Sequence, residues 1–316
     1  RAGDWLVKFP GTTRNLQGSV PSYTTAPVSE WLGSHVYAAL GIPVHETVLG
    51  IRDGRIVCAC RDFTFPDSRL VNFHDLKNSL SDDEPGFTED ASTGSGVVLA
   101  EVRSAIHRIP VLRSIDGVSD RFWDMFVVDA FIRNIDRNNT NWGVLRNPRG
   151  EFSLAPVYDN GNSFNNKRTD SGIERRLANP DLIRQDALDV RSCYVTDRGK
   201  PIAPLKYLAS GQDEECTKAL DRFMERYDPR SFHDLLGSIP SMSHGLTVVP
   251  DGFHEYHRRV CDYRYEHAFM EAWRDLHPTV GVPSSPEASV PEPLPDPDPS
   301  VLPSSSVPTC FDGPGM

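Results

Sequence analysis

A dense polar run at residues 133–145, RNIDRNNTNWGVL, contains residue types that could transfer a phosphoryl group. In this run Asn141 follows Asp136 at the fifth position, between an apolar segment and a β-rich segment. A carboxylate can orient or deprotonate an acceptor hydroxyl, and carboxylates and amides are ligands that Mg²⁺ accepts. A plain connector needs far fewer polar side chains. The run therefore predicts a catalytic loop.

The other groups that phosphoryl transfer from a nucleotide requires occur in a matching order along the chain. Lys8 lies in the apolar, strand-like segment DWLVKFP, and Glu30 lies in the next predicted helix. Asp159 ends the strand-like run LAPVYD. A lysine holds the phosphates, and a carboxylate fixes that lysine. Because the hairpin between the polar run and Asp159 is short, we expect Asp136, Asn141 and Asp159 to converge on one spot.

Each of these residues also has an ordinary structural explanation. Lys8 could be a solvated charge that protects an edge strand, and Glu30 could be a first-turn carboxylate that favours helix formation. Asp136 and Asn141 could cap a helix or satisfy a turn, and Asp159 could be a turn residue. The order and spacing of the whole set favour the catalytic interpretation.

Other candidate sites are weaker. His254 and His257 could lie on one face of a helix, but the sequence suggests no third metal ligand beside them. The segment STGSG at 92–96 lacks the lysine and spacing of a phosphate-binding loop. The segment NNKRTD at 165–170 follows Asp159, where a kinase activation or substrate loop would lie, although a solvated loop is favoured.

Two of the six cysteines, Cys58 and Cys60, are close together in the strand-like segment IVCACRDF. Strand alternation places both side chains on the same face. A cysteine zinc site would need a second close pair, which the sequence does not contain. Buried, reduced cysteines in a cytoplasmic protein are therefore the favoured interpretation.

Composition limits the classes of protein to consider. The chain has 316 residues, of which 38% are hydrophobic, enough for one two-lobed domain or two ordinary domains. Its net charge of −11 gives no overall attraction to nucleic acid or anionic lipid, so direct nucleic-acid binding is not expected. A membrane span is not expected either, because no run of about 18 apolar residues occurs.

The elements that must position the candidate residues change in character along the chain. Residues 1–65 read as strand, helix, strand and strand, with a hairpin signal at Asp53-Gly54. A later strand pair, NWGVLR and EFSLAPVYD, turns at NPRG. Helices are predicted at 68–80, 96–108, 118–133, 213–226, 229–237 and 252–277. Residues 281–316 are rich in Pro, Ser and acidic residues, so they are predicted to be a disordered tail.

The quoted motifs resemble the HipA-like kinase family. The resemblance rests on WLVKFP, SEWLGSHVYAALGIPVHETVLG, NIDRNNTNWGVL and LAPVYD, and it runs from about Asp4 to Asp159, with a weaker helical continuation to about His277. It implies an α+β, two-lobed, protein-kinase-like fold. The expected parts are a small β-rich N-lobe at 1–65, a larger helical C-lobe at 66–280 and the tail at 281–316.

The resemblance also implies a role for each candidate residue. The family transfers the γ-phosphoryl group of ATP to a serine or threonine hydroxyl with Mg²⁺ as cofactor. The residue pattern Asn-x-Asp followed by Asn is matched at residues 134–141. The implied roles are ATP binding for Lys8, Glu30 and Asn134, catalysis for Asp136, and Mg²⁺ binding for Asn141 and Asp159.

Two departures from the family pattern leave other functions open. The family usually has histidine two residues after the catalytic aspartate, and this chain has Asn138. The strand and Gly-rich loop that cover the phosphates are expected ahead of Lys8, before the first residue given. The acceptor could be a protein or a small molecule, so a small-molecule or lipid phosphotransferase is one alternative. A nucleotide-binding pseudokinase or interaction protein is another, and an antitoxin-like partner is expected only by analogy with HipA toxins.

The tail yields a testable prediction. Residues from about Gly281 to Met316 have few apolar side chains to offset an ordering cost of about 1–2 kcal/mol per residue. Truncation after Pro278 should therefore leave the melting temperature measured by calorimetry unchanged. A lower melting temperature would mean that the tail packs on the fold.

Overall fold

The computed structural model describes residues 4–11, 24–64, 66–81 and 97–278. The described residues up to Pro278 form one compact unit. The predicted tail at 281–316 and the STGSG segment at 92–96 lie outside the described residues. The limits 1–65, 66–280 and 281–316 for the two lobes and the tail therefore remain predictions.

The strands of the described residues are short and form several small sheets. They are β1 (Trp5–Lys8), β2 (Thr47–Arg52), β3 (Arg55–Arg61), β4 (Arg69–Asn72), β5 (Val97–Val98), β6 (Gly143–Arg146), β7 (Phe152–Leu154), β8 (Tyr194–Val195), β9 (Met242–Ser243) and β10 (Leu246–Thr247).

Helices account for most of the regular structure. They are α1 (Ala26–Ala39), α2 (Phe73–Ser81), α3 (Leu99–Arg108), α4 (Pro110–Arg113), α5 (Val118–Ile132), α6 (Asp170–Leu177), α7 (Pro180–Leu188), α8 (Pro204–Ser210), α9 (Glu214–Arg226), α10 (Pro229–Gly237), α11 (Phe253–Arg264) and α12 (Met270–Leu276). A π-helical turn, Tyr265–Phe269, joins α11 to α12. In the described part of the chain, none of these helices has the length and apolar character that crossing a bilayer requires.

The N-terminal sheet is antiparallel with the order β1-β3-β2. The predicted hairpin is present, and Asp53 and Gly54 at its tip both have positive φ, at 52° and 67°. That conformation suits the right-handed twist of the paired strands. The register places Lys8 opposite Cys58 and Cys58 opposite Leu49, so these three side chains share one face of the sheet. Helix α1 packs against β2 and β3.

A second antiparallel sheet has the order β4-β6-β7. Two boundaries predicted from the sequence differ from those of this sheet. Residues 69–72 form strand β4 rather than the first turn of a helix, because they pair with β6. Tertiary pairing of this kind overrides a local helical pattern. Strand β7 ends at Leu154, short of Asp159, and the chain continues through an isolated parallel bridge between Val157 and Val44.

Helix α5 is the centre of the hydrophobic core, as its apolar sequence predicts. Eleven of its residues are buried, and they include Trp123 and Phe131 at 0% exposure. Three short helices, α6 to α8, were not predicted. Capping signals for two of them are present in the sequence: the Thr169 hydroxyl caps α6, and the Asn179 side chain caps α7 just before Pro180.

The packing of α1 on the segment after Asp159 depends on Gly33. A Cβ atom at Gly33 would lie 2.8 Å from Cβ of Asn160, which is too close for van der Waals contact. Alanine would gain about 1 kcal/mol in helix propensity, but overpacking of a core costs about 1–3 kcal/mol. We expect Gly33→Ala to lower the free energy of unfolding measured in urea, despite the better helix former.

Gly237 is the matched control for this substitution. It is an exposed helical glycine at the end of α10, and an added Cβ there would meet nothing within 4 Å. Gly237→Ala should leave the free energy of unfolding unchanged or raise it slightly. If Gly33→Ala behaved in the same way, the close approach of α1 to Asn160 would not be a constraint.

Candidate active site

Lys8 joins the N-terminal sheet to two distant carboxylates. Its Nζ lies 2.8 Å from Oε2 of Glu30 in α1 and 2.7 Å from Oδ1 of Asp159. Burial opposes the positive charge, but the two carboxylates outweigh this effect and raise the pKa of Lys8 above its ordinary value. Lys8 is therefore a permanent cation held between the sheet, helix α1 and the end of the Asp159 segment.

The Glu30 carboxylate is fully buried and held from several sides. Its Oε1 lies 2.9 Å from Nε2 of His45 and accepts a hydrogen bond of 3.1 Å from the backbone N–H of Asn160. Burial raises the pKa of this group, but the hydrogen bond with His45 and the charge of Lys8 lower it to about 2. The depressed pKa of Glu30 contributes to the stability of the folded state. This contribution is complete at a pH above 4.5, the ordinary pKa of the group, and it is lost as the pH falls towards 2.

Amide side chains fix both oxygens of the Asp136 carboxylate. Asn138 donates to Oδ1 at 2.9 Å, and Asn162 donates to Oδ2 at 2.9 Å. The Asn138 side-chain oxygen in turn accepts from the backbone N–H of Thr140 at 2.9 Å and from its hydroxyl at 2.6 Å. Asn138, at the position where the family usually has histidine, therefore orients Asp136 in this chain.

The two asparagines of the predicted motif differ in exposure. Asn134 is buried, donates to Oδ1 of Asp129 at 3.1 Å and accepts from the backbone N–H of Asp136 at 3.1 Å. Asn141 is half-buried, and its Nδ2 donates to the backbone carbonyl of Asp136 at 2.7 Å. Both ends of the Asn134 amide thus bond inside the protein, whereas Asn141 lies nearer the surface.

Arg137 connects the loop of Asp136 to the Asp159 segment from inside the core. Its side chain is 2% exposed and forms an ion pair with Asp129 of α5, with 2.9 Å between Nε and Oδ2. It also donates to the backbone carbonyl of Asn141 at 2.9 Å, to the side-chain oxygen of Asn160 at 2.5 Å and to the backbone carbonyl of Tyr158. The loop and the segment are therefore held in a fixed relation.

The backbone around the site adopts conformations that most residues avoid. Asp159 has a φ of 60°, and the nearby Phe164 and Asn165 have φ values of 51° and 50°. Residues other than glycine occupy this left-handed region only when the surrounding structure holds them there. At Asp159 the contact with Lys8 and the neighbouring Arg137 network supply that restraint.

The oxygen donors of Asn141 and Asp159 fit a hard divalent cation. Both are half-buried, the Asp159 side chain is 42% exposed, and carboxylate and amide oxygens are the donors that Mg²⁺ prefers. Water could complete the coordination at such an open position. The donor types and their exposure are therefore compatible with Mg²⁺.

The weaker sequence candidates have structural contacts of their own. His254 lies 2.8 Å from the Ile239 carbonyl, and His257 is buried beside aromatic rings, where desolvation lowers its pKa to about 3. In segment 165–170, Arg168 forms an ion pair with Asp186 at 2.5 Å. These contacts explain the positions of the His254, His257 and Arg168 side chains without any bound ligand.

The structure brings Lys8, Glu30 and Asp159 into direct contact, and it ties the loop of Asp136 and Asn141 to the Asp159 segment. Sequence reasoning did not identify five residues of this cluster: His45, Asp129, Arg137, Asn160 and Asn162. One signal was available, because Asp129 is a single acidic residue within the apolar stretch FVVDAFI. A buried carboxylate requires a charged or hydrogen-bonding partner.

Comparison with known proteins shows similarity to a curated kinase and to its solved structure. No protein-family model matches the chain. The serine/threonine-protein kinase CtkA of Helicobacter pylori is 32% identical over 241 residues, which cover 76% of this chain and 71% of the relative. The crystal structure of CtkA, described as a proinflammatory kinase, superposes with a TM-score of 0.74 at 28% identity and covers 87% of this chain and 92% of that one.

A more distant likeness is to HipA of Shewanella oneidensis in complex with HipB and operator DNA. Its TM-score is 0.48 at 13% identity, and the match covers 85% of this chain and 60% of that one.

The fold and the curated relative define the class of protein as a two-lobed α+β kinase, as the sequence predicted. The chain belongs to the HipA-like serine/threonine kinase family. It is therefore an enzyme that transfers phosphoryl groups.

The buried Arg137–Asp129 pair gives a prediction about stability. Removing one partner of a buried ion pair leaves an uncompensated charge and costs about 3–5 kcal/mol. We expect Arg137→Met to lower the free energy of unfolding, measured in urea, by this amount. The double variant Arg137→Met/Asp129→Asn should lose less, because its buried carboxylate is also removed.

Arg137→Lys separates charge from geometry, since lysine keeps the positive charge but lacks the planar fork that reaches several acceptors. It should fold, but with a lower stability than the wild type. The account would be contradicted if Arg137→Met cost less than about 1 kcal/mol, the range of a surface ion pair.

Proposed function

We propose that this kinase transfers the γ-phosphoryl group of ATP to a serine or threonine hydroxyl of a protein. The observation that carries the proposal is the position of Lys8, which lies 2.8 Å from Glu30 and 2.7 Å from Asp159. A lysine held by a buried helix carboxylate, beside a second and more exposed carboxylate, can hold nucleotide phosphates next to a metal site.

Asp136 is proposed as the catalytic residue. Hydrogen bonds from Asn138 and Asn162 fix the orientation of its carboxylate before any substrate binds. A carboxylate held in this way can accept the proton of an acceptor hydroxyl and direct the hydroxyl oxygen at the phosphoryl group. Much of the rate enhancement would then come from positioning.

Lys8 is proposed to exchange one of its partners when ATP binds. Glu30 is fully buried and also bonded to His45, so it should keep its contact with Lys8. The Asp159 side chain is 42% exposed, and a phosphate oxygen could replace it on the Lys8 ammonium. The exchange would free Asp159 to hold Mg²⁺ together with Asn141. When bound, this ion would neutralise charge on the phosphates.

Asn134 is proposed to position the loop rather than to contact the nucleotide. Its side chain is buried and bridges Asp129 to the backbone of Asp136. It fixes the start of the loop in the same way that Arg137 fixes its middle. The ATP-binding role that the family resemblance implies for Asn134 would then be indirect.

The proposed acceptor class follows from the relative, whose name describes a serine/threonine-protein kinase. A small-molecule or lipid acceptor on the same fold is the second candidate. Incubation with labelled ATP and either a protein extract or a panel of small hydroxyl compounds and lipids distinguishes them by the product that carries the label. The likeness to the HipA complex is too distant to support an antitoxin partner, which remains a prediction from the family resemblance.

The proposed roles of two carboxylates can be separated by mutation. Asp159→Ala should abolish Mg²⁺-dependent ATP binding in calorimetry, because it removes a metal ligand. Asp136→Ala should leave binding near normal while phosphoryl transfer falls roughly 10²-fold or more, the contribution expected of a catalytic base.

Asp181→Ala is a suitable control, since this carboxylate is 83% exposed in the first turn of α7. It should bind ATP and transfer phosphate like the wild type. Equal binding defects in Asp136→Ala and Asp159→Ala would refute the division of roles. Wild-type protein that bound no MgATP would refute the proposal as a whole.

A further inference from the structure

The two neighbouring cysteines of β3 lie directly behind the proposed ATP-binding lysine. Cys58 is the register partner of Lys8, and Cys60 is the next residue on the same face of the strand. Both are buried, at 0% and 3% exposure. The chain has no second close pair of cysteines, but the fold places other donor atoms beside Cys60.

His45 and Glu30 supply those donor atoms. One ligand atom each from Glu30, His45 and Cys60 lie within 4.8 Å of one another, and all three residues are buried. Within the described ranges, this is the one group of three such residues close enough to hold a metal ion. Zinc bonds of about 2.0–2.3 Å place ligand atoms roughly 3.3–3.8 Å apart, so small side-chain shifts would close the site.

The chemistry of the donors favours zinc over magnesium. Thiolate and imidazole are ligands of Zn²⁺, whereas Mg²⁺ requires oxygen donors in an octahedron. Cys60, His45 and Glu30 supply one sulfur, one nitrogen and one oxygen, and water can take the fourth position of a tetrahedron. The Glu30 carboxylate and the Cys60 thiolate would balance the charge of the ion.

We propose that Cys60, His45 and Glu30 form an inhibitory Zn²⁺ site. Binding needs no redox step, because a zinc–sulfur bond forms as the Cys60 thiol loses its proton to water. His45 contacts Oε1 of Glu30 and Lys8 contacts Oε2, so an ion bound through Oε1 would neutralise the carboxylate and repel the Lys8 ammonium, which weakens the contact between Lys8 and Glu30.

The inhibitory effect rests on the proposed function, whereas the metal site does not. When Glu30 coordinates zinc, Lys8 keeps its second partner, Asp159, at 2.7 Å. ATP would still exchange that partner for a phosphate oxygen, but Lys8 would then lack the firm contact with Glu30 that positions it on the phosphates. Zinc would thus slow phosphoryl transfer by loosening the lysine that holds the phosphates.

The site can be tested directly with Co²⁺, which replaces Zn²⁺ in such sites and gives thiolate-to-cobalt absorption. The full chain should show this absorption with added Co²⁺, and stoichiometric Zn²⁺ should remove it. Cys60→Ala should lack it. Cys216→Ala is the matched control, because Cys216 is equally buried, at 3% exposure, on a different element, and this variant should behave like the wild type.

The consequence for catalysis is tested by measuring phosphoryl transfer in excess Mg²⁺ with buffered free Zn²⁺. We expect saturating Zn²⁺ to slow the wild type and Cys216→Ala roughly 10²-fold, the order of loss caused by displacing a positioning group by about 1 Å. Cys60→Ala should keep its metal-free rate in the same zinc buffer.

Each outcome decides the proposal. Thiolate-to-cobalt absorption that is absent from the wild type, or that survives Cys60→Ala, overturns the site. If the absorption depends on Cys60 but saturating Zn²⁺ does not slow phosphoryl transfer by the wild type, the site exists but its inhibitory role is overturned. A wild type without phosphoryl transfer even in the absence of zinc would refute the proposed function, while the Co²⁺ spectrum would still report on the site.

Discussion

The buried ion pair between Arg137 and Asp129 is the interaction on which the geometry of the site depends. Bringing two charges out of water is costly, and their attraction offsets that cost only when the remaining hydrogen-bonding groups are satisfied. The Arg137 guanidinium meets this condition with acceptors in the loop of Asp136 and at Tyr158 and Asn160. Movement of the loop away from the Asp159 segment would leave buried N–H groups of the guanidinium without acceptors, so the two are fixed together.

The ion pairs of Lys8 contrast with the buried pair of Arg137 and Asp129. Its side chain is 28% exposed and contacts one buried carboxylate and one exposed carboxylate, so the second partner can be exchanged without leaving a buried charge. A rigid loop with an exchangeable lysine suits a reaction in which positioning supplies most of the catalysis. Because Glu30 holds this lysine in place, a metal ion that coordinates Glu30 is expected to affect activity.

The candidate residues predicted from the sequence are those marked by their order and spacing along the chain. Lys8, Glu30 and Asp159 occur in family-like order, and the loop of Asp136 is marked by its polar density. The contacts of His45 and Asn162 could not be predicted, because they depend on how distant segments meet. Strand β4 was predicted as helix for the same reason, since only pairing with β6 decides its conformation. Helices α6 and α7 were overlooked although their caps are visible in the sequence.

The central claim is that Lys8 exchanges Asp159 for a nucleotide phosphate, so that Asn141 and Asp159 can hold the metal. The most direct measurement is anomalous diffraction from crystals grown with Mn²⁺ and a non-hydrolysable ATP analogue. The account predicts Mn²⁺ about 2.1 Å from a side-chain oxygen of both Asn141 and Asp159, with Lys8 on a phosphate and still bonded to Glu30. Mn²⁺ bound elsewhere, with the Lys8–Asp159 contact intact in the nucleotide complex, would contradict it.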